Sequence, residues 1–377
     1  MRRCAAAFRT GVLISLLAAE VIPSAAQVNV NCANTTADTE KLNTAIQASQ
    51  FGDLIQIHGT CLVNATIVLL GDRTYEGDSR TGTVIRQASG SNLPAVVASD
   101  SWEHNWTYTG DPIRIAHLTI DGNSAANSGS NALVIRSWLT TIEDLQIEYA
   151  PADGIQITNL SKNGIPLGKN ETQVNGHISN VFVTNSGGDG IHVVDVGKGP
   201  DTGNSVTDWS LLDSWVANSA QSAIYMDNAA GWSVRGNHVY GVPEHAIYAQ
   251  RCWATSIDQN YIEEFGTAGG DDTWYGIACT LNGGAASVIS GNKVFMFAKE
   301  SPSATFVFIG VPEVNYGTGI LNVVNNTILG ASGPADVGLS YRINGGSGLN
   351  VLSSNNNVQA VHEARAVGAG VKLVGGY

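Results

Sequence analysis

Positive charge is what this 377-residue chain most lacks: 19 Lys and Arg stand against 32 Asp and Glu, a formal net charge of −13. Nucleic-acid binding is driven by cations that neutralise phosphates, so that class of partner is excluded. A polyanionic polysaccharide is disfavoured as well, unless one groove is locally basic. Long apolar runs are missing too. Beyond the N-terminal residues nothing approaches the roughly 20 apolar residues that span a bilayer, so no membrane insertion is expected. No CxxC or Cys/His ligand spacing occurs, which removes zinc. The GxSxG elbow, the P-loop and the dinucleotide fingerprint are absent, leaving esterase, kinase and dehydrogenase readings without support. Proline is scarce, at 10 residues, and only 14% of residues are charged. What remains is glycine, asparagine, serine and short β-branched runs. That composition suits many short strands joined by tight turns.

The first residues bear on the compartment. Arg2, Arg3 and Arg9 precede a short apolar run, Gly11 to Val21, and Ser24, Ala25 and Ala26 supply the small residues of a signal-peptidase site. Residues 1–26 are therefore expected to be a signal peptide cut near Ala26, and the mature chain to be secreted. Four cysteines remain after that cut: Cys32, Cys61, Cys252 and Cys279. An even count in an oxidising compartment implies two disulfides, with three possible connectivities. Spacing favours Cys32 with Cys61, and Cys252 with Cys279.

Self-similarity is the strongest signal. Segments beginning at Ile142, Ile178, Leu211, Val234, Ile257, Ile289 and Val323 superimpose, and Asn237, Asn260, Asn292 and Asn326 fall in one column. Their irregular spacing does not fit the hairpins of a sandwich, where strands recur every 8–12 residues or so. It fits the coils of a solenoid with a constant core and loops of varying length. One asparagine per coil then hydrogen-bonds the next at the strand spacing of about 4.8 Å, forming a ladder. About ten residues later a second column holds Ile155, Ile191, Ile224, Ile247 and Ile277. Period-2 alternation turns these inward and sends Gln156, His192, Tyr225, Tyr248 and Ala278 outward. The fold expected is all-β: a single-stranded right-handed parallel β-helix, with residues 27–110 as N-terminal cap and first coils. Residues 111–377 continue the same domain.

A short amphipathic helix is expected from Asp38 to Ser49, with Asp38 as N-cap and Leu42, Ala45 and Ile46 on one face. It would cover the open end of the solenoid. This helix, the Gly52-Asp53 strand entry and the asparagine-ladder coils together resemble the pectate-lyase-like right-handed β-helix superfamily, over nearly the whole mature chain. The resemblance implies the fold. It does not settle function, because that superfamily hosts lyases, hydrolases, epimerases, tailspikes and adhesins. Against the polygalacturonase pattern, Asp189 and His245 match in place, but Gln221 and Ser222 replace the family's Asp pair and its Arg-Ile-Lys motif has no counterpart. A site location is implied, with a substrate other than polygalacturonate.

The outward strip of His192, Tyr225 and Tyr248 suits sugars, whose rings have apolar faces and hydroxyl edges. Ionisable residues gather around the same coils: Asp189, Asp195, Asp227, Glu244 and His245 are the candidate acid/base groups, and Arg251 joins the substrate-binding set. Glycoside hydrolysis needs two carboxyls, roughly 5–5.5 Å apart for retention or 6.5–9.5 Å for inversion. Asp195 with Asp227 would suit the shorter separation, and Asp189 with Glu244 the longer. The leading expectation is a secreted glycoside hydrolase acting on a polysaccharide. A polysaccharide lyase, with base and neutraliser drawn from His192, His245, the tyrosines and Arg251, is the second. A non-catalytic cell-surface or matrix carbohydrate-binding β-helix is the third. No cofactor is required by any of these, although Asp271 and Asp272 offer oxygen ligands for the Ca²⁺ that the resemblance associates with lyases.

Overall fold

The computed structural model describes residues 25–197, 205–298 and 303–374. The leader expected over the first residues lies, apart from its last two, outside them. β-Branched residues in short runs pair in parallel throughout, building three long sheets of 13, 12 and 11 strands. Each coil contributes one strand to each sheet, giving the right-handed parallel solenoid expected of such crossovers. No helix among the described residues is long and apolar enough to cross a membrane.

The core is stacked, one layer per coil. In the 13-stranded sheet Ile142, Ile178, Leu211, Val234, Ile257, Ile289 and Val323 pair in one register. In the 12-stranded sheet Ile155, Ile191, Ile224, Ile247, Ile277 and Ile309 do the same. All are buried. One hydrophobic cluster runs from Val30 to Val351, so no coil is stable alone and each is held by its neighbours.

Between the 13- and 11-stranded sheets the chain turns sharply. Asp144, Asn180, Asp213, Gln259, Asn325 and Asn355 all take positive φ there, and Gly236 and Gly291 fill the same position at φ 69° and 64°. Asn, Asp and Gly tolerate this conformation best. The asparagine ladder stands beside this turn. Oδ1 of Asn260 accepts both the backbone N–H and the Nδ2–H of Asn237, each at 3.0 Å. Asn292 and Asn326 repeat the pattern, and Asn356 extends it by a rung that the sequence reading did not include. Each Nδ2 also donates to a backbone carbonyl of the coil before, so these buried amides are satisfied.

Both disulfides join the expected partners, Cys32 to Cys61 and Cys252 to Cys279, and the second staples adjacent turns. The capping helix spans Ala37–Ala48 and buries Leu42 and Ile46. Its start corrects the sequence expectation. Asp38 is inside the first turn rather than at the cap, because its carboxylate folds back to accept the N–H groups of Ala33 and Thr35, both at 2.9 Å. Thr36 is the residue at the cap, and its side chain makes no capping bond.

Candidate active site

Site chemistry concentrates at the entry to the 12-stranded sheet. Two residues before each inward isoleucine stands a polar side chain, and the series along the coils is Asn131, Asp153, Asp189, Ser222, His245. These side chains hold successive coils together. Oδ1 of Asn131 accepts the Asp153 N–H at 3.0 Å, Oδ1 of Asp153 that of Asp189 at 3.0 Å, and Oδ1 of Asp189 that of Ser222 at 2.8 Å. On the next coil but one, Nδ1 of His245 accepts the Tyr275 N–H at 3.1 Å. This is a second ladder, and its members differ from rung to rung.

The second carboxylate oxygens are left for other work. His192, outward on the strand Ile191–Val194, places Nδ1 2.8 Å from Oδ2 of Asp153 and 3.5 Å from Oδ2 of Asp189. The three side chains lie within 4.8 Å of one another. Gln156 adds a bond to Oδ2 of Asp153 at 3.1 Å. Burial raises the Asp189 pKa to about 7, with the Asp153 and Glu244 carboxylates adding to the effect and His192 and the Ser222 N–H opposing it. For His192, burial works against the charged ring, but Asp153, Asp189 and Asp227 outweigh it and its pKa rises. The ring is thus flanked at mid-sheet by carboxyls that favour its charged form. The trio has metal-ligand residue types, and its ring nitrogen already partners the Asp153 carboxylate.

From His192 the strip continues in register through Tyr225 and Tyr248. The His192 ring meets Tyr225 edge-on at 5.6 Å, and the two tyrosines stack at 5.4 Å and 8°. Gln250 donates to the Tyr225 hydroxyl. Burial and the nearby Asp227 push the Tyr225 pKa up to about 12, so this phenol stays protonated. The strip does not run on as an open surface to Ala278, as the alternation implied. Ala278 is fully buried, and beyond it the Tyr275 ring lies so close to Gly310 that a Cβ there would come within 2.9 Å. Aromatic cover closes this end. His245 sits under it, 4.5 Å from Tyr248, 5.5 Å from Tyr275 and 5.4 Å from Trp274 between ring centres. Burial lowers the His245 pKa to about 4. With Nδ1 accepting from Tyr275, the neutral ring carries its proton on Nε2.

The remaining candidates separate. Glu244 is half-buried beside the site, and Ser222, whose N–H binds Asp189, offers its hydroxyl to Oε2 of Glu244 at 3.4 Å. One serine thus spans the two carboxyls. Asp227, half-buried in register with Val194, has its pKa raised by burial and pulled back by His192. Asp195 feels the charges of Arg251 and Asp227, but its carboxylate is turned to the backbone. It is 1% exposed, and its carboxylate accepts from Asn159 at 2.6 Å, Ser205 at 2.5 Å and Val206 at 2.9 Å. Those bonds tie the coil to the strand Val206–Thr207. Arg251 donates to Asn228 at 2.9 Å, at the far end of the strand. Asp271 and Asp272 are exposed and belong to no three-ligand group among the described residues. Sequence reasoning passed over Asp153 and Ser222 as site residues. The available signal was positional: both occupy the column of Asp189.

A family model described as right handed beta helix region matches residues 132–296. No curated protein matches the chain. Among solved structures, a mutant DFA-IIIase from Arthrobacter chlorophenolicus in complex with DFA-III is 11% identical at TM-score 0.53, covering 92% of this chain and 87% of that one. The A-module of a mannuronan C-5 epimerase from Azotobacter vinelandii is 13% identical at TM-score 0.51, with coverages of 91% and 96%. The ORF18 protein of Geobacillus virus E2 is 14% identical at TM-score 0.50, and the chain spans 61% of its length. Identities this low establish fold alone. The chain carries a right-handed β-helix region and shares the parallel β-helix fold of these structures.

Proposed function

We propose that the chain is a secreted glycoside hydrolase whose polysaccharide substrate lies along the strip of His192, Tyr225 and Tyr248. The observation that carries this reading is the convergence of Asp153, Asp189 and His192 within 4.8 Å at one end of two stacked tyrosines. Hydrolysis needs a carboxyl that holds its proton near neutral pH and a second one to assist water. Asp189, with its raised pKa, has the character of the general acid. Glu244, joined to Asp189 through Ser222, is the partner, and a water held between the two would give inversion. Asp227 is the alternative partner across His192. Asp195 is left out, since its oxygens are occupied by the backbone it anchors. The two disulfides fit export to an oxidising compartment.

The lyase reading needs a side-chain base with a free lone pair. Neighbouring carboxyls favour the charged form of His192, Tyr225 stays protonated, and His245 has its Nδ1 engaged, so these three are poor bases. Purified chain tested on a panel of polysaccharides decides between the two. Hydrolysis releases reducing ends alone. Elimination adds the ultraviolet absorbance of an unsaturated sugar end, and that signal would displace the proposal. A folded chain that releases neither, while still binding, would support the matrix-binding reading.

A further inference from the structure

The same coils that carry the acid site present a second aromatic surface, one corner of the solenoid away. In the 11-stranded sheet Phe182, Trp215, His238 and Tyr261 occupy successive strands in register and point outward, since their neighbours Val183, Val216, Val239 and Ile262 are the buried ones. Phe182 meets Trp215 edge-on at 5.0 Å, Trp215 stacks on His238 at 5.2 Å and 10°, and His238 meets Tyr261 at 4.9 Å. Phe295, in register with Glu263, lies 5.5 Å from Tyr261 beside the end of the row. Trp215 is 44% exposed and Tyr240, two residues past His238, is 41% exposed. Solvent-facing rings on this scale are costly to leave bare, and contiguous apolar patches of this kind mark binding surfaces.

The polar groups beside the rings indicate what binds. Glu263 accepts from the Tyr261 hydroxyl and lies 3.3 Å from Nε2 of His238, giving the strip a hydrogen-bonding edge. That edge carries an acid, and the molecule as a whole is negative. Lys293, paired with Tyr261, is the one Lys or Arg in the register of the row. An anionic chain is therefore repelled, whereas an uncharged one is not. The ring-to-ring step matches the strand spacing and is close to the rise of one sugar in an extended β-linked chain. Successive sugars then lie over successive coils, against the exposed edges of the rings, with hydroxyls toward Glu263 and His238. The strip and the acid site lie on consecutive strands of one coil, since the turn 185–190 joins the Phe182 strand to the strand of His192.

We infer that this face of the 11-stranded sheet is a second carbohydrate-binding surface, taking an extended, uncharged polysaccharide along the solenoid axis. It rests on the hydrolase reading only for the class of ligand, and its test reads binding, not turnover. Affinity electrophoresis of the full chain in gels containing a soluble neutral β-glucan, xylan or polygalacturonate, with a microcrystalline cellulose pull-down, is the experiment. Retention by at least one neutral glycan, weakened about tenfold or more by Trp215→Ala and by Tyr261→Ala, is expected. Trp215→Phe should restore most of the retention, which a folding defect would not allow. Trp215→Ala added to Asp189→Asn should weaken retention by the same factor as it does alone, separating this surface from turnover at the acid site. Equal retention of wild type and both alanine variants, no retention by any neutral glycan, or stronger retention by polygalacturonate would each overturn the inference.

Discussion

Two ladders of hydrogen bonds run along this solenoid, and they solve one problem in two ways. Each links coils by letting a side-chain acceptor take a backbone N–H from a neighbouring coil. At the turn between the 13- and 11-stranded sheets the acceptor is asparagine from Asn237 to Asn356, rung after rung. At the entry to the 12-stranded sheet it is Asn131, then Asp153, then Asp189, with His245 further on. An amide is the economical choice for the task, since its Nδ2 also donates to the next rung and to a carbonyl. A carboxylate cannot donate and resists burial. Carboxyls standing where an amide serves equally well indicate that the second ladder does something besides holding coils together.

The comparison is broken most severely by Asp189→Asn. Asn131 already performs this rung's structural duty two coils earlier, so the amide keeps the Ser222 N–H bonded and the fold intact. Turnover of the polysaccharide should fall about 10²- to 10⁴-fold, the usual worth of a positioned acid. The melting temperature should move little. A large loss of stability with proportionate loss of activity would make Asp189 a structural rung only.

Asn292→Ala asks the converse question. It leaves the Ile257 carbonyl and the Asn260 N–H without their partners inside a dry ladder. A destabilisation of about 3 kcal/mol is expected from such orphaned groups, with activity per folded molecule unchanged. Denaturant unfolding measures the first and an active-fraction assay the second.

A smaller effect distinguishes the ladders by pH. Asp189 and Asp195 titrate near 7 and 6 in the folded chain, above the ordinary carboxyl value of about 3.9. The folded state holds protons that the unfolded state has released, so their contribution is complete below about pH 4 and is lost as pH rises through 6 and 7. His245 acts oppositely: its depressed pKa contributes stability above about 6.5 that is lost as pH falls toward 4. Unfolding free energies measured from pH 4 to 8 should therefore lose their decline near 7 in Asp189→Asn and keep the decline near 6. Asn292→Ala should shift the whole curve down without changing its shape.

What was legible in the sequence follows the same division. Inward isoleucines and ladder asparagines repeat because every coil faces the same packing problem, so Ile155 to Ile277 and Asn237 to Asn326 stood out by alignment. Asn356 escaped because Asn355 and Asn357 flank it and blur the register. Asp153 escaped for a different reason. An acid before glycine is an ordinary turn residue, and only the three-dimensional meeting with His192 gives it a charge partner. For Asp195 the spacing along the strand said nothing of the backbone N–H groups that its carboxylate accepts. The start of the capping helix depended on which way one carboxylate folds, which spacing does not encode.

The rungs Asn237, Asn260, Asn292 and Asn326 are separated by 23, 32 and 34 residues, yet they meet their neighbours at the same 3.0 Å. Surplus residues are taken up between the rungs, at the corners and in longer strands such as Thr273–Asn282. Inheritance in such a molecule has two clocks: the columns change slowly, because a shift of one residue misaligns every coil beyond it, while a corner can lengthen by whole segments without disturbing them. A lineage can reshape the walls around Asp189 and Tyr225, and so exchange one substrate for another, without renegotiating the architecture that holds them.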